Sequence, residues 1–277
     1  MENYDEFTNR NQIYIKTDEQ TKISKLRILI AGCGVGSQVA MALTQLGFQN
    51  FTVIDGDTIS LSNLNRQAFR HHQIGKNKAT CLRDNILEIN PEANVVAIAE
   101  NLGPDKLYLL DQVDFIIDTI DFLDLKSILL LHETAEVKKI PLVSGLTVGW
   151  GACAIFFPNT NAPEKLFRKI FNVADSETDS PMSYVDKFQK LFYSLSGHID
   201  EQVVKVMDKT FQSMLDNKPC PAPQVAAGTY CIASLVTTIL AKYIRGDIIP
   251  KAPELMIIDM FNLINKNSFN LFDIKKL

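Results

Sequence analysis

A chain of 277 residues, 46% of them hydrophobic, is long enough for one large or two small domains and a substantial buried core. With 28 Lys and Arg against 32 Asp and Glu the formal charge is -4, and the absence of a long basic run excludes broad electrostatic binding to DNA, RNA or anionic lipid. The cysteines Cys33, Cys81, Cys153, Cys220 and Cys231 form no Cys-x-x-Cys pair, which argues against a four-thiolate zinc site and fits a reducing cytoplasm.

Residues 1–25 are polar with scattered apolar positions (Phe7, Ile13, Tyr14, Ile15) and read as an arm with a short helix. Their start, MENYDEFTNR, lacks the basic-then-apolar pattern of a secretion signal. Leu26–Ala31 is a first strand, buried on both faces by its composition, and Ser37–Leu46 a helix with Val39, Leu43 and Leu46 inward. Between them Gly32, Gly34 and Gly36 let backbone N–H groups approach a phosphate at a helix N-terminus. Spaced by twos, these glycines suit a nicotinamide-dependent enzyme equally well.

Phe51–Ile54 is a second strand, with Asp55 at its end placed to accept hydrogen bonds from a ribose. Just beyond it Asp57, Ser62, Asn63, Asn65, Arg66 and Gln67 crowd polar and cationic groups together. A helix over Lys76–Ile89 carries Ala79, Leu82, Ile86 and Ile89 on one stripe and stops at Asn90-Pro91. Lys78 falls in its first turn, where the helix dipole disfavours a cation.

Further strands are expected at Val95–Ala99 and Asp114–Ile120, joined through a short helix around Lys106–Leu110. The second ends in DTID, bringing Asp118 and Asp121 to the same carboxyl edge as Asp55. A helix over Leu123–Val137 and a strand over Ile140–Ser144 follow. LTVGWGACAIFF then reads as antiparallel pairing. Residues 159–218 form a helical insertion, with Val185, Phe188, Phe192 and Leu195, then Val203, Met207, Phe211 and Met214, at helical spacing.

Ala226–Ile244 returns as an apolar helix and Glu254–Asp259 as a last strand. The segment Gly228–Ile244 is interrupted by polar residues and Lys242 and falls short of the roughly 20 apolar residues of a membrane span, so a buried helix in a soluble protein is expected. The expected fold is α/β: a Rossmann-like, mostly parallel sheet with helices on both faces, an antiparallel C-terminal extension and a helical insertion. Its segments are an arm (1–25), a nucleotide-binding half (26–158), the insertion (159–218) and the remainder of the same domain (219–277).

Cleaving a triphosphate at its α-phosphorus calls for Arg and Lys against developing charge and a carboxylate for Mg²⁺. Arg66, Lys78 and Asp121 are those residue types, projected to one sheet edge. DGDTISLSNLNRQ, followed by IGKNKA, INP, IDTID and IPLVSG, resembles the ubiquitin-activating-type adenylyltransferases, the ThiF/MoeB/HesA-like group, over residues 7–157 and the helix after Pro223. The resemblance implies ATP-dependent adenylation of a carboxylate, such as the C-terminus of a small ubiquitin-like or sulfur-carrier protein or a peptide, with release of pyrophosphate. Carried over by position, Gly32, Gly34 and Gly36 would form the nucleotide turn. Asp55 would bind the ribose with Asp57 beside it, Asn63, Arg66 and Lys78 would hold phosphates, and Asp121 would hold Mg²⁺. Arg10 resembles an N-terminal arginine that reaches into the neighbouring subunit's site, which implies a homodimer.

The chain departs from the family pattern at Ala31 and Cys33 in the turn, at Phe122 after Asp121, and in lacking paired zinc cysteines. A small carboxylate or a tRNA-linked carboxylate as acceptor, and a non-catalytic ATP-binding scaffold subunit, are the alternatives; a nucleic-acid or membrane partner is not expected. Cys220, between Pro219 and Pro221, sits where some activators of ubiquitin-like proteins carry a thioester cysteine, but no neighbouring His or Lys marks it as activated. His71, His72, His132 and His198 receive no role.

Overall fold

The computed structural model describes residues 2–160, 163–175, 181–216 and 223–266. In chain order the helices are α1 (Glu2–Phe7), α2 (Thr17–Lys25), α3 (Gly36–Leu46), α4 (Lys78–Ile89), α5 (Leu125–Lys138), α6 (Leu166–Phe171), α7 (Pro181–Ser194), α8 (Glu201–Leu215), α9 (Ala226–Arg245) and α10 (Met260–Lys266). The strands are β1 (Arg27–Ala31), β2 (Asn50–Ile54), β3 (Asn94–Ile98), β4 (Phe115–Asp118), β5 (Leu142–Val148), β6 (Gly151–Phe157) and β7 (Met256–Asp259). They form one 7-stranded sheet in the order β3-β2-β1-β4-β5-β6-β7. The pairs from β3 through β5 are parallel, and β6 pairs antiparallel with both β5 and β7.

The apolar runs at the centre explain the layering. Ile28, Leu29, Ile30 and Ala31 of β1 are all fully buried, as a parallel strand covered on both faces requires. One face is covered by α3, α4 and α9 through Val39, Leu43, Leu82, Ile232 and Val236. The other is covered by α5 and α6 through Leu125, Leu129, Phe167 and Phe171. Each such side chain contributes about 1.5–3 kcal/mol of transfer free energy. Helices α7 and α8 add a smaller cluster in which Val185, Phe192, Val203 and Phe211 pack against Val148 and Cys153 of the β5–β6 hairpin.

Several boundaries differ from the sequence expectation for local reasons. The strand expected to run to Ile120 ends at Asp118. There Thr119 turns away, its N–H donating to the Ala31 carbonyl and its hydroxyl to the Gly32 carbonyl at 2.7 Å. The helix expected from Lys76 starts at Lys78, because the Asn77 side chain caps it by accepting from the Thr80 N–H at 3.0 Å. The segment around Lys106 is a 3-10 helix over Pro104–Gln112, and β5 runs on to Val148 because the hairpin keeps pairing up to Val148–Gly151. Cys231, on α9, is half-buried.

Helix α9 is long and apolar enough by composition to cross a membrane, but in this fold Ile232, Val236, Ile239 and Leu240 are buried in the sheet-facing core. It starts hard against the β5–β6 turn: a Cβ on Gly228 would lie 2.6 Å from the Gly149 carbonyl oxygen and 3.1 Å from that of Gly151. Replacing Gly228 with alanine forces the helix off the sheet. Urea unfolding of the Gly228→Ala variant is expected to show a loss of about 1–3 kcal/mol, the range for overpacking.

Candidate active site

Strand order reverses direction between β1 and β4, since β2 and β3 lie to one side and β5 to the other. Open parallel sheets bind ligands at such a switch point, beyond the carboxyl ends of the strands. The glycine turn leaves β1 there, Asp55 follows β2, and the Thr119–Asp121 loop follows β4. Gly32 adopts φ +88, and a Cβ on it would lie 2.3 Å from the Thr119 carbonyl oxygen, so the position accepts only glycine. Cys33, the departure noted in the turn, points its side chain into the core at 0% exposure and offers its backbone N–H to Asp55 Oδ2 at 2.6 Å. Its thiol is pushed well above the ordinary range by burial, with the Asp55 charge adding to the effect.

Asp55 is the hub. While Oδ2 accepts from Cys33, Oδ1 accepts from the Asp57 N–H at 2.8 Å. Burial pushes its carboxyl upward, opposed by the nearby Lys78 charge and by those two N–H donors. Asn77 donates to the Asp55 carbonyl at 2.8 Å and to the Asp57 carbonyl at 3.1 Å, which anchors the loop on the start of α4. Lys78 therefore emerges beside Asp57 and is buried, its Nζ 2.7 Å from Asp57 Oδ2. An ammonium at a helix start is unfavourable by itself, and the neighbouring carboxylates offset that.

Arg66 is held by segments far apart in the chain. Its Nε donates to Gln224 Oε1 at 2.5 Å, just ahead of α9, and its Nη1 to the Ser62 carbonyl and Asn65 Oδ1 at 2.9 Å. Its own carbonyl accepts from Thr229 Oγ1 at 3.0 Å and Gln38 Nε2 at 3.3 Å. Burial lowers its pKa, yet a guanidinium stays charged throughout the accessible range. Asn63 Oδ1 is taken by the Ser60 N–H at 2.9 Å, which leaves the side-chain amide as a donor.

Gly32, Gly34, Asp55, Asp57, Asn63, Arg66, Lys78 and Asp121 all line one cleft of about 280 Å³. Gly36 lies beneath it, packed against Thr119 and Ile30. A second cavity of about 250 Å³ adjoins it, sharing Gly32, Asp55, Asp57, Ile120 and Asp121 and reaching Asn101 and Leu102. Asp121 is exposed, with Oδ1 accepting from the Leu123 N–H at 3.0 Å. Arg10 is not brought to this cleft. It lies in the arm at the opposite end of the strands, where Tyr4 donates to the Gly47 carbonyl at 2.8 Å and Asn11 to that of Leu46 at 3.0 Å. Cys220 lies outside the described residues, and His71 and His72 are exposed and away from the cleft.

Asp118, level with Asp121 in the sequence, does a different job. It is buried beneath the site, where Oδ2 meets His132 Nε2 at 2.9 Å and Ser144 Oγ at 2.9 Å, and Oδ1 accepts from the Ile120 N–H at 3.1 Å. Sequence reasoning gave His132 no role; its place on the buried face of α5, four residues after Ile128 and three before Ala135, was the signal. It also missed Gln224 and Thr119, which are remote in sequence from the loops they hold.

A model of the ThiF family matches residues 8–276. The chain belongs to the ThiF family. It is 29% identical over 177 residues to the molybdopterin-synthase adenylyltransferase of Haemophilus influenzae, covering 60% of this chain and 72% of that one. It is 36% identical over 115 residues to the tRNA threonylcarbamoyladenosine dehydratase of Escherichia coli, covering 40% of this chain and 42% of that protein. The chain spans about half the length, 53%, of the Escherichia coli molybdopterin-synthase adenylyltransferase. Of solved structures, PaaA aligns with TM-score 0.66 at 23% identity over 92% of this chain and 79% of that chain. Escherichia coli MccB with ATP aligns at 0.59 and 19% identity over 87% and 65%. These structures show a shared fold, and the relatives named adenylyltransferases make this chain a ThiF-type adenylyltransferase.

Removing the imidazole at position 132 leaves a buried carboxylate short of a partner under the Asp121 loop. The His132→Leu variant is expected to lose about 3 kcal/mol or more in urea unfolding, the scale for breaking a buried pair on one side.

Proposed function

We propose that this protein transfers the adenylyl group of ATP to an acceptor carboxylate, forming an acyl-adenylate and releasing pyrophosphate. One observation carries the reading: Asp55, Arg66, Lys78 and Asp121, from four separate segments, line a single cleft over a glycine turn. A carboxylate oxygen attacks the α-phosphorus, the bond from that phosphorus to the bridging oxygen of the β-phosphate breaks, and pyrophosphate leaves. No protein nucleophile is required, so positioning and charge neutralisation carry the rate.

The adjoining cavity beside Asn101 and Leu102 takes the nucleoside, with Asp55 accepting from the ribose. The N–H groups of the glycine turn beyond Gly32 and Cys33, which are spent on Ile54 and Asp55, face the phosphates with the Asn63 amide, Arg66 and Lys78. Lys78 is paired with Asp57 and Arg66 with Gln224, so phosphate oxygens would replace those partners on binding. Among the described residues no cluster of His, Cys, Asp or Glu forms a preassembled metal site. A single carboxylate at Asp121 fits Mg²⁺ that arrives on the nucleotide, because that ion keeps waters and phosphate oxygens as most of its ligands. Asp121 would hold the ion, which would supply charge neutralisation on the triphosphate.

The acceptor class we propose is a peptide-type C-terminus, free or on a small ubiquitin-like protein. Crystals of MccB contain AMPCPP together with MccA, which supports an acceptor of this kind on the same fold. The exposed Arg10, outside its own chain's cleft, supports a homodimer in which the arm of one copy completes the site of the other.

Asp121→Ala and Arg66→Ala are each expected to reduce acceptor-dependent exchange of pyrophosphate into ATP at least about 100-fold, the scale for losing a group that neutralises transition-state charge. Unchanged exchange in Asp121→Ala would remove the metal assignment. For the dimer, Arg10→Ala and Asp121→Ala are each expected to be inactive alone and to regain exchange when mixed, since one site of each mixed dimer is intact. No recovery on mixing, with subunit exchange verified by mass, places Arg10 outside the reaction.

A further inference from the structure

The sequence departs from the family pattern at Phe122, directly after Asp121, and that ring has specific partners in the fold. It stacks on Phe188 of α7 at 5.5 Å and lies edge-on to Phe211 of α8 at 6.4 Å, within the range of favourable aromatic pairs. Phe122 and Phe188 each pack against both the α5–α6 cluster and the α7–α8 cluster, so they join the two. Helices α7 and α8 therefore meet the polar floor of the cleft at the residue next to Asp121.

The turn itself does little to hold that carboxylate. Upstream of it, Thr119 is tied to the glycine turn and the Ile120 N–H to Asp118; downstream, Asp124 accepts from the Ser127 N–H and starts α5. Between those anchors the hydrogen bonds are internal: the Leu123 N–H donates to Asp121 Oδ1 at 3.0 Å and the Asp124 N–H to the Asp121 carbonyl at 2.8 Å. Asp121 and Leu123 are exposed, and of residues 121–123 it is Phe122 that reaches into packed structure.

From Phe188 the rings continue to Phe171 at 6.0 Å and from there to Phe167 at 4.5 Å, both on α6, and then to His132 on α5 at 4.5 Å. His132 meets Asp118 at 2.9 Å, and Asp118 accepts from the Ile120 N–H at 3.1 Å. The two neighbours of Asp121, Ile120 and Phe122, are thus the two ends of one packed path through α5, α6 and α7. A close-packed interior resists small displacements, whereas an exposed turn with only local hydrogen bonds opens readily.

We propose that Phe122 is a positioning residue and that helices α6–α8 are a brace, which through Phe188 and Phe211 holds the Asp121 carboxylate in place at the cleft. What the carboxylate is held for, Mg²⁺ on the nucleotide, rests on the adenylation reading above. The aromatic stripes of α7 and α8 then have a function besides burial, because they fix a ligand-facing group on a different loop.

The test combines hydrogen exchange of the unliganded protein, read by mass spectrometry over residues 119–124, with calorimetric binding of AMPCPP in Mg²⁺ and in EDTA. Phe122→Ala and, from the α7 side, Phe188→Leu are each expected to speed exchange in that segment by about 10-fold or more, the scale of losing an aromatic pair with its buried area. Retained protection of β1 reports that each variant is folded. Both are expected to cut the gain in AMPCPP affinity that Mg²⁺ brings by about 10-fold, within what a misplaced group costs, with affinity in EDTA unchanged. Phe122→Tyr is expected to restore both readouts. A ring that only buried apolar area would leave the Mg²⁺ gain alone. Unchanged segment exchange in both variants, or a wild-type Mg²⁺ gain in both while Asp121→Ala loses it, overturns the positioning role. If Asp121→Ala keeps the gain, the metal assignment falls, and faster segment exchange in the two variants still supports the brace.

Discussion

The Asp55 carboxylate accepts hydrogen bonds from the Cys33 and Asp57 backbone N–H groups, and so ties the turn after β1 to the turn after β2. Each loop alone is short, polar and exposed to alternative conformations. Joined through one buried carboxylate they become a rigid floor. Because Lys78 reaches back over the same floor to Asp57, the cation is delivered where the helix dipole by itself would disfavour it. Replacing the two N–H donors by water would release the glycine turn from the sheet edge, and with it the alignment of backbone donors that a phosphate requires.

A second carboxylate repeats this logic one strand over. Asp118 is sealed below the surface by His132 and Ser144 and holds the Ile120 N–H, so the loop that ends in Asp121 leaves the sheet at a fixed angle. Thr119 locks the same loop onto the glycine turn from above. The two aspartates of DTID are thus divided by burial into a support and an exposed ligand-facing group. Arg66 shows a third version, in which Gln224 and Thr229 at the start of α9 grip a loop from the first quarter of the chain. Helix α9 is pressed against the β5–β6 turn at Gly228, so the arginine's position depends on how that turn packs.

Much of the fold and the polar floor was legible in the residues. Alternation of continuous apolar runs with 3.6-period stripes specifies a parallel sheet covered on both faces, and Asp55, Asn63, Arg66, Lys78 and Asp121 stand at strand ends or helix starts where the pattern puts them in reach of one another. What escaped was everything that depends on long-range register. His132 looks like any helix histidine until β4 and β5 bring Asp118 and Ser144 under it. Gln224 has no local signature at all. Cys33 departs from the family pattern in the turn, and only the tertiary structure shows that its side chain is buried in the core while its N–H holds Asp55.

The sequence by itself determined the order of elements, the glycine turn and the set of charged groups at one sheet edge, because hydrophobic period and loop chemistry are local properties of the chain. Tertiary structure alone decided that the aromatic stripes of α7 and α8 close on the β5–β6 hairpin beside that edge, leaving a small apolar chamber next to it. Those stripes specify burial but not a partner, since a hydrophobic face packs against whatever apolar surface the topology presents. Where that surface borders a cleft, burial becomes shape, and shape is what a substrate meets.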